Sequence, residues 1–328
     1  MRAWSSSSIS STLGRTDLPV PIPEPDEVLL RVEACGICRT DLHVIDHELA
    51  PHRADVVPGH QIIGIVKARG SGVRRIEIGD RLGAAWLRRT CGSCAWCRSG
   101  RENLCPDSLY TGWDTDGGFA DYVTVPAGFA YPLGTEIDPV QTAPLLCAGI
   151  IGYRALARSR LPPGGTLGIY GFGSSGHLTA QLAMAAGARV CVMTRGETNR
   201  RLARQLGVDF VSDSFGDPPE PLDSAIIFAP VGDLVPAALK ATTRGGTVTI
   251  AGIHVSDLPR MPYQQTLFHE RDLRSVTANT HADGIEFLRL AQRLDIRAEV
   301  TPYEFDALPV ALEDLRRSRV SGSLVLAL

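Results

Sequence analysis

The sequence predicts an α/β protein of two domains, one compact and β-rich, the other a doubly wound parallel sheet. Three observations predict it. At 328 residues the chain exceeds what one hydrophobic core comfortably holds. Up to about Glu136 it reads as short β-runs broken by glycine and proline. From Gly149 onward β-like and helical segments alternate, the pattern of βαβ units and a parallel sheet.

Taken in order, Ser5–Ser8, Ser10 and Ser11 form a low-complexity start that is poor strand or helix material. Pro19, Pro21, Pro23 and Pro25 follow as an extended segment. Glu27–Glu33 is the first convincing strand, with Gln61–Lys67, Gly79–Ala85 and Gly118–Val125 as further β-runs among long loops. Ile150–Ser159 reads as helix. The alternation then runs Thr166–Tyr170, Ser175–Ala186, Arg189–Met193, Glu197–Leu206, Ser224–Phe228, Val235–Thr242 and Gly246–Ala251. A last helix, Asp283–Leu294, and two short strands, Ala298–Tyr303 and Gly322–Ala327, are too little for a third domain. The expected division is therefore 1–149 for the first domain, 150–280 for the second, and 281–328 returning to the first.

Apolar residues make up 44% and charged residues 21%, ordinary values for a soluble globular chain. A formal net charge of −3 gives no electrostatic case for nucleic acid or a membrane surface. The basic residues are nearly all arginine, since Lys67 and Lys240 alone are lysines. No secretory h-region follows Met1 and no run approaches the ~20 apolar residues of a spanning helix. A cytoplasmic location is the expectation, and there clustered thiols are metal ligands more often than disulfides.

Two sets of such ligands stand out. Cys91, Cys94, Cys97 and Cys105 lie within fifteen positions, with Cys-x2-Cys spacing that lets consecutive thiolates curl onto one metal. Four thiolates saturate a tetrahedral zinc, although an iron–sulfur cluster takes the same ligands. The lobe 88–106 also carries Arg88, Arg89, Arg98 and Arg101, positioned to hold deprotonated sulfur. The second set is Cys38, His60 and Cys147, two thiolates and an imidazole that leave a fourth zinc position open. An open zinc polarises a bound alcohol and lowers its pKa towards ~7. Thr40, two residues after Cys38, has a hydroxyl to pass the proton on, His43 can release it to water, and Asp41 can hydrogen-bond a ligand from behind.

Gly171-Phe-Gly173-Ser174-Ser175-Gly176 runs from strand into helix and matches the dinucleotide fingerprint on both flanks. Gly171 permits the tight turn, Gly173 lets pyrophosphate approach, and Gly176 lets helix pack on strand. At the end of the next strand, where an acid would select NAD, stand Thr194 and Arg195. A hydroxyl followed by a guanidinium favours the 2′-phosphate of NADP over NAD, with Arg200 and Arg201 as weaker helpers.

From about Pro23 onward these motifs, with Pro58-Gly-His-Gln61 and Asp116-Gly-Gly-Phe-Ala-Asp-Tyr-Val123, occur in the order and spacing of a known family. The chain resembles the zinc-dependent medium-chain dehydrogenase/reductase family, the alcohol dehydrogenases; Ala85-Trp-Leu-Arg-Arg-Thr-Cys-Gly92 is most similar to the bacterial primary-alcohol branch. The resemblance implies a GroES-like catalytic domain plus a Rossmann domain, catalytic zinc on Cys38, His60 and Cys147, and structural zinc on Cys91, Cys94, Cys97 and Cys105. It implies Arg39 on the pyrophosphate, a Thr40–ribose–His43 proton relay, Trp86 as a wall of the alcohol pocket (or as core packing), and a homodimer or homotetramer. It also implies reversible oxidation of a primary alcohol with NADP, the alternatives being NAD, an aldehyde reductase for larger or aromatic aldehydes, and a catalytically silent nucleotide-binding paralogue.

Three departures from the family pattern bear on this. Gln61 follows the ligand histidine where the family has Glu. The serine-rich start replaces the usual first strand and hairpin. His281 lies where many relatives carry arginine near the cofactor.

Overall fold

The computed structural model describes residues 1–7 and 12–328. Packing divides the chain into two compact units. The first is Met1–Cys147 with Ala278–Ile285 and Glu299–Leu328; the second is Ala148–Thr277 with Glu286–Ala298.

The first unit is organised by the strand Glu27–Ile37, whose Val28, Leu30 and Val32 are fully buried. It pairs antiparallel with Gln61–Arg69, with Tyr122–Pro126 and with Ser323–Ala327. Arg81–Ala84 and Tyr131–Leu133 extend one edge of this seven-stranded sheet, and Val300–Glu304 the other. Its apolar face meets Leu82, Val123, Leu308, Ala311 and Leu326 in one core. Helices that went unread in the sequence include Arg39–Ile45 and Leu308–Arg316, besides the single turns Ala95–Arg98 and Pro139–Thr142.

The serine-rich start is a strand after all. Arg2–Ser7 pairs antiparallel with Leu13–Asp17, and Ser6 and Ser7 with Val56 and Asp55. Weak strand propensity is overridden by tertiary anchoring: Ala3 is fully buried, and the Trp4 indole donates to the Phe305 carbonyl at 3.0 Å. The first hairpin of the family pattern is therefore present; Ser8, Ser10 and Ser11 of the low-complexity reading lie outside the described residues.

The second unit is a six-stranded parallel sheet in the order Phe210–Ser212, Arg189–Met193, Thr166–Tyr170, Leu222–Ile227, Thr242–Ile250, Asp272–Ser275. The order reverses beside Thr166–Tyr170, the position at which doubly wound sheets bind nucleotides. That strand is wholly buried, as a central parallel strand covered on both faces must be. Segment 281–328 does not return to the first unit as a block. Glu286–Ala298 packs with the second, because Phe287 is buried against Gly149, where a Cβ would stand 2.3 Å from its ring.

One helical run, Pro139–Ser159, is long and apolar enough to cross a membrane by length and composition, contrary to the sequence reading. Half of its most apolar window is buried inside the fold, and it is broken at Cys147 (φ −132°, ψ −67°).

Candidate active site

Local geometry explains how three distant residues meet. Cys38 is the extended N-cap of the Arg39–Ile45 helix, and Asp41, three residues on, accepts from the Cys38 amide at 2.8 Å to close a capping box. His60 follows Gly59, whose φ of +95° and lack of a side chain are both required: a Cβ there would lie 2.6 Å from the Phe119 ring. Cys147 sits at the break between the turn Ala143–Leu146 and the helix Ala148–Ser159. All three belong to the first unit.

Their ligand atoms converge within 4.8 Å of one another. His60 Nε2 is 3.4 Å from Cys38 Sγ and 3.3 Å from Cys147 Sγ. A tetrahedral zinc with ordinary bond lengths needs N–S edges of about 3.6 Å, so the donors fit one ion without rearrangement. With three donors converging, such an ion keeps a fourth position.

Asp41 organises this set from behind. Its Oδ1 lies 3.0 Å from His60 Nδ1 and accepts from the Gly59 amide at 3.1 Å, with the carboxylate almost fully buried. A hydrogen bond at Nδ1 presents Nε2 to a metal, the usual carboxylate–histidine arrangement. Burial alone would push the His60 pKa down, but the charges of Asp41 and Cys38 and their hydrogen bonds bring it up to about 10. The Cys38 thiol is pushed well up, first by its hydrogen bond with Cys147 and then by burial. A metal ion takes the place of these protons when it binds.

Around the set, Trp86 and His60 meet in a T-shaped pair, with ring centroids 5.0 Å apart and planes 73° apart. Trp86 stacks on Tyr110 (5.1 Å) and on Trp113 (5.9 Å, planes 9° apart), and His52 stacks on the far side at 4.1 Å from Trp113. Val44, Val56, Leu49 and Ala278 complete this apolar cluster. Sequence reasoning named Trp86 and missed Tyr110, Trp113 and His52; a local density of aromatics in a chain with 6% aromatic residues was the available signal. His43 lies one turn along the helix from Thr40, and its Nδ1 is bonded to Glu48. Arg39 rests its guanidinium on Ser318 Oγ (3.2 Å) and the Leu315 carbonyl.

The four-thiol set is equally well formed. Sulfur separations of 3.5 Å (Cys94–Cys97), 3.6 Å (Cys91–Cys105) and 4.0 Å (Cys91–Cys97) match the edge of about 3.8 Å that a ZnS4 tetrahedron requires. Backbone amides hold the sulfurs: Cys94 N to Cys91 Sγ at 3.3 Å and Cys97 N to Cys94 Sγ at 3.4 Å. Backbone hydrogen bonds from Ser93 and Cys94 draw Cys91 down to about 6, while burial lifts Cys105 to about 11. Three of the four arginines have other partners. Arg88 forms a buried ion pair with Glu27 (2.6 Å), Arg89 pairs with Asp26, and Arg101 lies over the Trp96 ring.

In the second unit the three glycines have separate reasons. Gly171 has φ +94°, and a Cβ there would meet the Ala229 amide nitrogen at 2.8 Å; one on Gly176 would meet the Gly171 carbonyl at 2.5 Å. A Cβ on Gly173 would meet nothing within 4 Å. Its own fold does not demand that glycine, whereas a pyrophosphate brought against the backbone does. The helix Ser174–Ala185 begins there and presents its N-terminus with Ser174 and Ser175 in the first turn. Thr194 closes the next strand as expected, but its side chain is buried and its Oγ1 accepts from the Phe172 amide at 3.2 Å. It ties the glycine turn together. Arg195 is exposed, and Arg200 is folded onto Glu197 (3.1 Å) and the Thr194 carbonyl. His281 is occupied within the first unit, its amide on Glu102 at 2.8 Å and its ring 4.7 Å from Tyr131.

Residues 24–135 match the alcohol dehydrogenase GroES-like domain and residues 176–293 the zinc-binding dehydrogenase domain. The chain belongs to the zinc-dependent medium-chain dehydrogenase/reductase family. It is 53% identical over 319 residues to a probable alcohol dehydrogenase AdhA of Mycobacterium tuberculosis, covering 96% of this chain and 92% of that one. Among solved structures, this dehydrogenase superposes with a TM-score of 0.90 on the CAD from Helicobacter pylori complexed with NADP(H), at 25% identity over 100% of this chain and 99% of that chain. Acetophenone reductase from Geotrichum candidum in complex with NAD gives a TM-score of 0.91 at 28% identity, over 99% and 96% of the chains. The chain is thus an alcohol dehydrogenase-type oxidoreductase with sites for zinc and a nicotinamide cofactor.

Proposed function

We propose that this dehydrogenase interconverts a primary alcohol and its aldehyde, with NADP as the nicotinamide cofactor and two zinc ions per chain. The observation that carries the reading is the convergence of Cys38, His60 and Cys147 on one point beside an aromatic wall. Zinc there supplies Lewis-acid polarisation of the alcohol oxygen, and the nicotinamide supplies the hydride acceptor.

The protein's own contribution is positioning, dryness and a proton path. Asp41 fixes the His60 ring so that Nε2 points at the site. Trp86, Tyr110 and Trp113 exclude water from one side. Thr40 Oγ1 takes the alcohol proton and His43 passes it on. Cys91, Cys94, Cys97 and Cys105 hold the second ion in a closed set, for stability rather than chemistry. The proposal keeps Arg39 and the Ser174–Ser175 turn as pyrophosphate contacts. NADP rests on the absence of an acid after Met193 and on exposed Arg195, with Arg200 as a second guanidinium. Thr194 supports the turn instead of touching the phosphate.

The aromatic stack favours a second reading within the same chemistry, reduction of larger aromatic aldehydes, since flat rings pack on flat walls. Zinc stoichiometry, together with turnover of short and aromatic alcohols and aldehydes with NADP and NAD, tests both. Two zincs and chelator-sensitive NADP reduction are expected. No zinc-dependent turnover on any substrate would overturn the function.

A further inference from the structure

We propose that the first unit carries a second small-molecule site, which takes a neutral alcohol with an apolar chain. It stands apart from the catalytic reading above, because no member of either thiol set lines it.

The site is a cavity of about 390 Å3, inside the range of about 300–1,000 Å3 in which proteins hold small molecules. Leu18, Pro19 and Pro21 line it from the proline-rich segment, and Val57, Ala120 and Val123 from the buried core. The aromatic wall lies across the backbone from it. Val56 packs with Trp86, whereas Val57 packs with the main sheet and lines the cavity, the alternation expected at the end of the Asp55–Val56 strand. The turn that closes the cavity is tied to this run. The Gly117 amide donates to the Val57 carbonyl at 2.6 Å, and the Val57 amide to Asp116 Oδ1 at 3.0 Å.

Polar groups in the lining decide the chemistry of the occupant. Thr115 Oγ1 is buried and has no hydrogen-bond partner among the described residues. Asp116, next in the chain, spends Oδ1 on Arg53 (3.2 Å) as well as on Val57, which leaves Oδ2 as an acceptor. One hydroxyl accepts from the first and donates to the second, whereas an ether or ketone oxygen only accepts. A charged head is disfavoured whichever its sign. An anion meets the Asp116 carboxylate. A cation meets Arg53, Arg88 and the Met1 amino group, the last held on the Leu18 carbonyl at 2.6 Å. Arg88 is 6% exposed and keeps its own partners, Glu27 at 2.6 Å and Thr124 Oγ1 at 3.2 Å, so its charge is fixed in place and already answered. The apolar lining takes the chain, where leaving water is favourable.

Methyl NMR on the zinc-loaded protein reads the site directly, with n-hexanol as the probe. The Leu18, Val57 and Val123 methyls should shift along one saturable curve, separate from that of Val44 and Val56 beside Trp86. Hexanoate and hexylammonium carry the same chain with a charge, and should bind at these methyls about tenfold more weakly. Thr115→Val keeps the shape and drops the hydroxyl. It should weaken n-hexanol about fivefold, the scale of one neutral hydrogen bond, and leave turnover of a short alcohol unchanged. Its melting temperature should not fall, since the hydroxyl removed has no partner. Shifts confined to Val44 and Val56, hexanoate binding as tightly as n-hexanol, or unchanged affinity in Thr115→Val would each overturn the site. Absence of turnover on every alcohol, with the Leu18, Val57 and Val123 methyls still titrating, would overturn the catalytic reading alone.

Discussion

Replacing Asp41 with asparagine removes one charge and no volume, and the structure says what that does. Asp41 Oδ1 accepts from the Gly59 amide at 3.1 Å and lies 3.0 Å from His60 Nδ1, and Oδ2 accepts from the Cys38 amide at 2.8 Å. Asparagine has a single acceptor oxygen. In its better orientation the oxygen keeps Gly59 and His60, and its NH2 then faces the Cys38 N–H, donor against donor, in an almost fully buried place. A lost hydrogen bond to a charged acceptor costs about 1.5–3 kcal/mol, and it falls on the residue before the helix that positions a ligand sulfur. Losing such support behind a metal ligand typically weakens metal binding 10–100-fold, or about 1.4–2.8 kcal/mol. Chelator competition on the zinc-loaded protein measures it, and the four-thiol site serves as an internal reference. Asp41→Asn should therefore release one zinc at lower chelator concentration while the other is held as before. An affinity within threefold of the parent, or equal loss at both sites, would refute the reasoning.

Gly173→Ala should leave the melting temperature within a degree or two, since its Cβ meets nothing, yet weaken dinucleotide binding at least tenfold by calorimetry. Gly176→Ala, with its Cβ 2.5 Å from the Gly171 carbonyl, should destabilise the fold itself. Burial lowers the His177 pKa from 6.5 to about 4. A base lowered in this way binds fewer protons folded than unfolded, so stability falls as pH drops below 6.5 and the full penalty, about 3 kcal/mol, is reached below pH 4. Urea melts at pH 7 and pH 4.5 should show a smaller acid loss in His177→Leu than in the parent, and equal losses would exclude His177 as the cause. Trp113→Ala should cut kcat/KM for an aromatic alcohol about tenfold more than for ethanol, the scale of one aromatic contact. A uniform loss across substrates would make the stack plain core.

The seven thiol and imidazole side chains that converge in two sets were legible because cysteine and histidine at ligand spacing carry their chemistry with them, whatever the fold does. The alternation of Thr166–Tyr170, Ser174–Ala185 and Arg189–Met193 was legible for a related reason: buried parallel strands and their helices write their period into the sequence. What failed was everything decided by tertiary partners. Serines at the start became a strand because Trp4 and Ala3 are anchored by residues far along the chain. Arginines beside the thiol lobe read as sulfur partners, but Glu27 and Asp26 claimed two of them and backbone amides did the work. The Thr194 hydroxyl read as a cofactor contact and proved to be a brace for the turn. Glu48 was invisible, since its place depends on His47 turning left-handed, which no local residue signals.

Gln61 now has a physical account that the sequence lacked. It sits opposite Gly36 across two strands, where any side chain would collide with its amide at 2.8 Å. Its Oε1 is buried and, among the described residues, has no hydrogen-bond partner. A neutral amide oxygen left so costs about 1–3 kcal/mol; a carboxylate in the same place, with Asp41 already charged nearby, would cost far more until a cation arrived. Glutamine therefore lowers the penalty for folding the site before zinc binds. With zinc in place, the two thiolates and Asp41 exceed the dication by one negative charge instead of two. A less negative surrounding favours loss of a proton from a group bound at the ion at lower pH, so an amide at this position is compatible with the chemistry.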